Sequence, residues 1–350
     1  MNMSGIERSE FGELSGRAVD LYTLTNSRGL VLKVTNYGAT LTELHVPDRN
    51  GQLADVVLGF ERVDGYAQHG AFFGATVGRV ANRIRAARFE LDGRVYPLAA
   101  TDGADHLHGG RRGWDRALWS AQPERTPDGP SLLLSSTSAD GEEGYPGRVN
   151  ASVRYTLTEQ NEVNIEMRAE TDRTTIINMA HHSYWNLGGH GSGDVLEHEL
   201  ALHADAYTPG DPVVPTGEVR AVAGTPFDFR RPKPIGRDLD QVGTEPRGFD
   251  HNWVVNGTPS ELRPVARVYH PRSGRVLELH ADTPGVQFYS GNFLDGSLIG
   301  KGQRYQRHAG LCLETQAFPN AINLPEWRDQ VIRRAGQSYR QRMVHRFSLA

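Results

Sequence analysis

A glutamate stands in an otherwise apolar stretch toward the C-terminal end of the chain. In the segment 310–316, two leucines alternate with Cys312 and Glu314, which is the period-two pattern of a strand. A carboxylate in such a strand is costly unless it is paired or lines a wet cleft. Glu314 is therefore a candidate functional residue, and the structural alternative is a buried ion pair with an arginine.

Two histidine motifs offer partners for this carboxylate. His106 and His108 are separated by one residue, so they share a face if the segment is extended. That spacing suits a metal, or simply a loop with surface histidines. His181 and His182 are adjacent, so we expect one to face the core or a cleft and the other to face outward. The neighbouring residues do not decide which of the two points inward.

A third group of candidates carries hydrogen-bond donors. The segment 78–84 interleaves Arg79, Asn82 and Arg83 with small residues. A guanidinium is a planar fork of donors that suits carboxylates, phosphates or sugar hydroxyls. The alternative is a solvated turn with its arginine side chains in water.

Two further polar residues lie at or within apolar strands. Asp250 precedes the apolar residues of the segment 248–255, a pattern that also fits a turn capped by its own side chain. Gln287 lies in the alternating segment 285–290, on the same face as Tyr289. Both residues are candidates for contact with a ligand.

Strands are the elements that must position these residues. Glycine (39) and proline (19) are abundant, as in proteins built from strands and turns. The Asp92-Gly93 pair predicts a two-residue hairpin. Helical periodicity is limited to one or two turns at 61–68 and at 234–242. Clear alternation of apolar and polar residues occurs at 153–158, 163–170 and 277–281.

These patterns predict an all-β fold, a large sandwich of antiparallel sheets with few short helices. Residues 1–16 are polar and aperiodic, so we expect a flexible N-terminal arm. Residues 17–350 contain no linker, composition shift or internal repeat, which predicts a single domain.

Composition excludes several classes of protein. The 350 residues carry a formal net charge of -4 and no basic stripe, which argues against a nucleic-acid partner. No apolar run approaches the roughly 20 residues of a membrane helix, and no secretory leader pattern is present. Cys312 is the single cysteine, so a disulfide within the chain and a cysteine-based zinc site are both excluded. We therefore expect a cytoplasmic protein.

Taken in order, ten segments resemble the aldose 1-epimerase (galactose mutarotase) family over nearly the whole chain. The resemblance implies an all-β supersandwich with a sugar cleft, and interconversion of the α and β anomers of a free aldose such as galactose or glucose. It also implies that no metal and no organic cofactor are needed. We expect a small-molecule aldose substrate and a monomer or weak homodimer. The segments are 36–40, 55–60, 77–84, 107–110, 140–147, 215–218, 224–229, 250–252, 284–289 and 313–316.

The resemblance also implies roles for individual residues. Glu314 takes the position of the base, His182 that of the acid, and His108 that of a group assisting at the ring oxygen. At ordinary pKa values of about 4.3 and about 6.5, the glutamate is ionised at neutral pH and the histidine is available in either form. The positions implied for sugar binding are Asn82, Arg83, Asp250 and Gln287.

Departures from the family pattern leave the preferred sugar open; they are His181, Trp185, Asp105-His106 and Asn320. Three other functions also remain. A non-catalytic carbohydrate-binding module would need aromatic platforms and no acid–base pair. A related enzyme of the same fold acting on sugar phosphates would use cations such as Arg79, Arg83 and Arg111. A metal-dependent hydrolase would use His108, His182, His251 and Glu314, although no helical ligand motif is present.

Overall fold

The computed structural model describes residues 5–211 and 213–350. Within these ranges the chain forms 29 strands, one α-helix and six short 3₁₀ segments. No helix in the described ranges is long and apolar enough to cross a membrane. The helix is α1 (Val63–Gln68), and the 3₁₀ segments are Arg85–Ala87, Trp114–Arg116, Glu142–Gly144, Ile235–Gln241, Ala321–Asn323 and Arg328–Gln330. The strands are β1 (Gly5–Leu14), β2 (Arg17–Thr25), β3 (Val31–Thr35), β4 (Thr40–Pro47), β5 (Leu53–Asp55), β6 (Thr76–Val77), β7 (Arg83–Ile84), β8 (Arg88–Leu91), β9 (Arg94–Pro97), β10 (His106–Leu107), β11 (Ser120–Thr126), β12 (Gly129–Ser138), β13 (Val149–Leu157), β14 (Glu162–Thr171), β15 (Thr175–Ile176), β16 (Ala180–His181), β17 (Glu199–Leu202), β18 (Ala206–Thr208), β19 (Arg220–Ala221), β20 (Lys233–Pro234), β21 (Asp250–Val254), β22 (Arg263–Tyr269), β23 (Arg275–Ala281), β24 (Gly285–Tyr289), β25 (Ile299–Gly300), β26 (Gln303–Arg304), β27 (Cys312–Gln316), β28 (Ile332–Arg333) and β29 (Ser338–Leu349).

Three large antiparallel sheets form the body of the molecule. The first contains β1 to β5 in sequence order, and the second has nine strands in the order β11-β12-β13-β14-β29-β23-β22-β17-β20. The third, the site sheet, has the order β19-β18-β21-β24-β27. This architecture confirms the predicted all-β sandwich.

A continuous apolar core contacts all three sheets. Leu41 of β4, Val153 of β13 and Trp253 of β21 belong to it and are fully buried. Each large apolar side chain buried in this way contributes about 1.5–3 kcal/mol to stability. Leu311 and Leu313 also pack into this core, so the alternation along β27 turns Cys312 and Glu314 to the other side of the sheet. The core thereby fixes where the carboxylate points.

Local turn chemistry forms as the sequence predicts. Asp92 and Gly93 join β8 to β9 with φ values of 50° and 76°, as a two-residue type I′ hairpin requires. The two predicted helical turns are present as α1 and the 3₁₀ segment Ile235–Gln241.

The N-terminal residues differ from the predicted flexible arm. Residues 1–4 lie outside the described residues, but Gly5–Leu14 forms β1 and pairs with β2 along its length. Ser15 and Gly16, with φ values of 51° and 76°, close a tight hairpin, and the buried Phe11 ring lies 5.9 Å from Tyr66. Backbone pairing in an edge strand needs little apolar patterning. The polar, aperiodic sequence therefore did not indicate this strand.

Buried histidines stabilise this fold only in the neutral form. His345 is 1% exposed, and no side chain among the described residues bonds to either of its ring nitrogens. Burial lowers the pKa of His345 from 6.5 to about 4. Burial likewise lowers the pKa of His198 to about 3. Protonation of either ring inside the core is therefore unfavourable.

We expect stability to fall in acid for this reason. The unfolded chain binds protons on these histidines below about pH 6.5 and the folded chain does not, so the free energy of unfolding decreases as the pH falls from 6.5 toward 4. For His345 alone the decrease is about 3 kcal/mol. Urea denaturation of the wild type and His345→Gln at several pH values measures it. Parallel pH profiles for the two proteins would contradict the assignment.

Candidate active site

A cleft of about 500 Å³ opens beside the end of the site sheet. Six of the seven residues predicted for the site line it, and Gln287 does not. The lining residues with polar or aromatic side chains are Gln68, His69, Phe72, Asn82, Arg83, Asp102, His108, His182, Tyr184, Asp250, Tyr289, Phe293, Asp295, Ser297 and Glu314. A volume of this size accommodates a small-molecule ligand.

Glu314 and His182 form a close pair on the wall of this cleft. Glu314 lies in the middle of β27 and is 2% exposed, whereas His182 directly follows β16 and is 5% exposed. Glu314 Oε1 lies 3.6 Å from His182 Nε2, and Glu314 Oε2 has no hydrogen-bond partner among the described residues. The structural alternative was an ion pair between Glu314 and an arginine. Among the described residues, the partner of Glu314 is His182 and not an arginine.

Burial changes the protonation of this pair. Loss of water, reinforced by the charge of Asp250, raises the pKa of Glu314 well above its usual value, and the Arg83 charge opposes this only in part. Burial lowers the pKa of His182 from 6.5 to about 4. Both shifts disfavour charge, so burial favours a neutral carboxyl beside a neutral imidazole in the pocket without substrate, opposite to the tendency of the ordinary pKa values.

His108 is held as a hydrogen-bond donor. It has a φ of 49°, and its Nδ1 accepts a hydrogen bond from the backbone N–H of Asn82 at 3.1 Å. Burial and the nearby His182 lower the pKa of His108 well below its usual value, so the ring is neutral with its proton on Nε2. His106 instead bonds to Tyr145 at 2.7 Å, so the two histidines do not form the shared face of an extended segment.

The donor set does not favour a metal. Ligand atoms of His108, His182 and Glu314 lie within 4.8 Å of one another. However, His108 offers a proton at Nε2 rather than a lone pair, since its Nδ1 already accepts from the backbone. His251, the other ligand of the hydrolase hypothesis, accepts a hydrogen bond from the N–H of Asp250 and packs 4.7 Å from Phe227. The arrangement suits proton transfer better than metal binding.

Arg83 and Asp250 form a polar floor next to the catalytic pair. Arg83 Nε donates to Asp102 Oδ2 at 2.7 Å, and Arg83 Nη1 lies 3.7 Å from Asp250 Oδ2. Gln287 Nε2 donates to Asp250 Oδ1 at 2.7 Å, so it lies behind the aspartate and holds it. Asn82 accepts from the N–H of Arg83 at 2.8 Å. The cleft thus presents fixed donors and acceptors for hydroxyl groups.

Several lining residues carried no usable sequence signal. Phe72 has a φ of 57°, and its ring lies 4.7 Å from His108 and 5.8 Å from His182. Phe293 is 59% exposed at the mouth of the cleft. In the sequence, Asp102 and Gly103 resemble an ordinary turn. Only the hydrogen bond from Arg83 to Asp102 shows that this aspartate belongs to the site.

His181, the neighbour of His182, does not face outward as expected. It is 3% exposed, its Nε2 lies 2.7 Å from Ser183 Oγ, and its ring lies 6.4 Å from that of Trp185. Both histidines are buried, one in the core and the other in the cleft, because β16 has structure on both of its faces. His181 and Trp185, two of the departures from the family pattern, therefore contact each other outside the cleft lining.

Fold and site together define an isomerase of the aldose 1-epimerase family. The model of that family, described as aldose 1-epimerase, matches residues 20–346. The chain belongs to this family.

Particular relatives support the assignment over the full length. The chain is 44% identical to galactose mutarotase of Bos taurus over 99% of this chain and 100% of the relative. It is 34% identical to aldose 1-epimerase of Escherichia coli K12 over 95% of this chain and 96% of that protein. The crystal structure of galactose 1-epimerase from Lactobacillus acidophilus superposes with a TM-score of 0.87 at 27% identity, covering 99% and 100% of the two chains.

Proposed function

We propose that this enzyme interconverts the α and β anomers of a free aldose of the galactose or glucose type, with Glu314 as the base and His182 as the acid. The observation that carries the proposal is the buried pair with 3.6 Å between Glu314 Oε1 and His182 Nε2, facing one cleft. His108 supplies a third, neutral donor. These roles agree with those that the family resemblance implies.

The reaction needs two coupled proton transfers. Transfer of the shared proton from Glu314 to His182 Nε2 gives a carboxylate and an imidazolium. The carboxylate then takes the C1 hydroxyl proton while the imidazolium protonates the ring oxygen, and the bond between C1 and the ring oxygen breaks. After rotation about the C1–C2 bond, the reverse transfers close the ring on the other face and restore the pair.

Neighbouring charges make the ionised form of the pair accessible. Arg83 lowers the pKa of Glu314 against the effect of burial, which stabilises the carboxylate when it forms. Asp250, fixed by Gln287, and Arg83 hold sugar hydroxyls in the expected binding mode. Such positioning lowers the barrier without further chemistry.

The charge of the cleft favours a neutral sugar over a sugar phosphate. Four carboxyl groups line it, and Arg83 is its single arginine or lysine among the described residues. Arg79 is 2% exposed and donates instead to Ser138 and to the carbonyls of Ala139 and Pro146. Neither Arg79 nor Arg111 lines the cleft.

We therefore expect glucose 6-phosphate to be a poor substrate. Its kcat/KM should be at least about 10-fold lower than that of glucose, because a dianion near the carboxylates of Asp102, Asp250 and Asp295 costs over 1 kcal/mol. Comparison of the two anomerisation rates at one ionic strength measures the ratio. Equal or faster reaction of the phosphate would support the sugar-phosphate alternative.

Polarimetry of freshly dissolved α-D-galactose and α-D-glucose tests the proposed function directly. Acceleration that persists in the presence of a chelator supports acid–base catalysis. Loss of activity on chelation would favour the metal-dependent alternative, and sugar binding without acceleration would favour a carbohydrate-binding module. The cytoplasmic location and the monomeric or weakly dimeric state stay predictions, for cell fractionation and light scattering to test.

A further inference from the structure

The two nitrogens of His182 face different chemistry. Nε2 faces Glu314 and the cleft, and Nδ1 lies 3.7 Å from the sulfur of Cys312. Cys312 is fully buried and precedes Glu314 by two residues on the same face of β27. Among the described residues no carboxylate bonds to this Nδ1, although carboxylates are usual partners of functional histidines. The backbone carbonyl of His182 itself also accepts a hydrogen bond from the ring.

We propose that Cys312 is a positioning residue for catalysis: its sulfur accepts the Nδ1–H of His182, so that Nε2 remains the nitrogen that exchanges protons with the sugar. The inference rests on the proposed function, in which His182 is the acid.

Proton accounting requires this tautomer. When His182 gives its Nε2 proton to the ring oxygen, a neutral ring must remain, and that ring must carry its other proton on Nδ1. When the sugar ring closes, Nε2 of His182 takes the proton back and Nδ1 keeps its own proton. Nδ1 is thus protonated in both states, and it needs a partner that accepts throughout. An imidazole protonated on Nε2 alone could not donate that proton without becoming an imidazolate anion.

A thiol is a suitable partner because it is weak. Sulfur is a poor acceptor, so it orients the ring with little extra stabilisation of the imidazolium. A carboxylate at this place would hold the ring charged and oppose return of the proton. Burial raises the pKa of Cys312 well above its usual value, so the sulfur stays a neutral thiol over the working pH range.

Other groups around the ring do not replace Cys312. The titratable side chains facing His182 are Glu314 at Nε2, His108 with ring centres 5.0 Å apart and Tyr184 stacked at 5.3 Å. The Phe72 ring lies 5.8 Å away on the cleft side. These side-chain contacts fix the plane of the imidazole, but they do not decide whether Nδ1 carries a proton.

Cys312→Ala and Cys312→Ser form a matched pair of variants for the test. Both remove the sulfur, but only serine keeps a γ atom that can accept a hydrogen bond. We expect Cys312→Ala to lower kcat by up to about 10-fold, the value of one hydrogen bond, with KM for galactose unchanged, and Cys312→Ser to recover most of that loss. A wild-type rate in Cys312→Ala, an effect on KM alone, or a serine variant no better than alanine would each overturn the proposal.

A spectroscopic readout separates this inference from the proposed function. Long-range ¹H–¹⁵N correlation spectra report which ring nitrogen is protonated, and the His182 signals are identified by their loss in His182→Asn. We expect Nδ1 protonation in the wild type and a shift toward Nε2 in Cys312→Ala. A wild-type ring protonated on Nε2 overturns the role of Cys312 even if mutarotation is normal. Absence of wild-type mutarotation would instead refute the proposed function.

Discussion

Glu314→Gln is expected to lower kcat by about 10²–10⁴-fold, the range that a positioned proton transfer contributes. Glutamine keeps the shape of the side chain and cannot take the C1 hydroxyl proton. The variant should fold at least as stably as the wild type at neutral pH. Since burial raises the pKa of Glu314, the unfolded chain gains by ionising this carboxyl, and the amide removes that advantage.

Polarimetry with α-D-galactose and urea denaturation, run on the same preparations, measure both effects. Glu278→Gln is the matched control, because Glu278 lies on β23 in the nine-stranded sheet and does not line the cleft. Activity within a few-fold of the wild type in Glu314→Gln would refute its role as the base. An inactive variant that has also lost its cooperative unfolding would show that the carboxyl is needed for folding.

The parts of the site that follow from strand alternation could be predicted. Leu311 and Leu313 bury in the core, so the sequence alone placed Glu314 on the opposite face of β27. The Asp92-Gly93 hairpin was equally accessible, because its positive φ values are a local requirement. In both cases the information lies within a few consecutive residues.

Features set by long-range pairing could not be predicted. His181 ends β16 and His182 directly follows it, but β16 pairs with β6, about 100 residues earlier in the chain, and both histidines are buried. Nothing near His182 in the sequence indicates that Cys312, 130 positions away, contacts its Nδ1. The placement of Gln287 behind Asp250 likewise depends on the register between β21 and β24.

The protonation of the catalytic pair is the other feature that the sequence does not determine. Ordinary pKa values describe a group in water, whereas Glu314 and His182 are buried together. Burial disfavours charge on both groups, in opposite directions of pKa. Burial therefore favours the neutral form of the pair in the pocket without substrate. The direction of each pKa shift depends on the environment of the group, so it cannot be predicted from the residue type alone.

His182→Asn is expected to lower kcat by about 10²–10⁴-fold with a smaller change in KM. An asparagine amide retains a donor for the sugar, so binding persists, but it cannot give up and recover a proton. His203→Asn is the matched control, because His203 is exposed on the surface and lies outside the cleft lining.

Comparison of His108→Asn with His182→Asn tests which of the two histidines is the acid. His108 is a neutral donor fixed by the N–H of Asn82, and an amide can substitute for such a donor, so its loss should affect kcat less than the loss of His182. Steady-state rates by polarimetry for the two variants measure the order. If His182→Asn changes only KM while His108→Asn abolishes turnover, the acid is His108 and the proton shared with Glu314 is structural. The predicted order follows from geometry, because only His182 is paired with the carboxyl with which it must exchange roles.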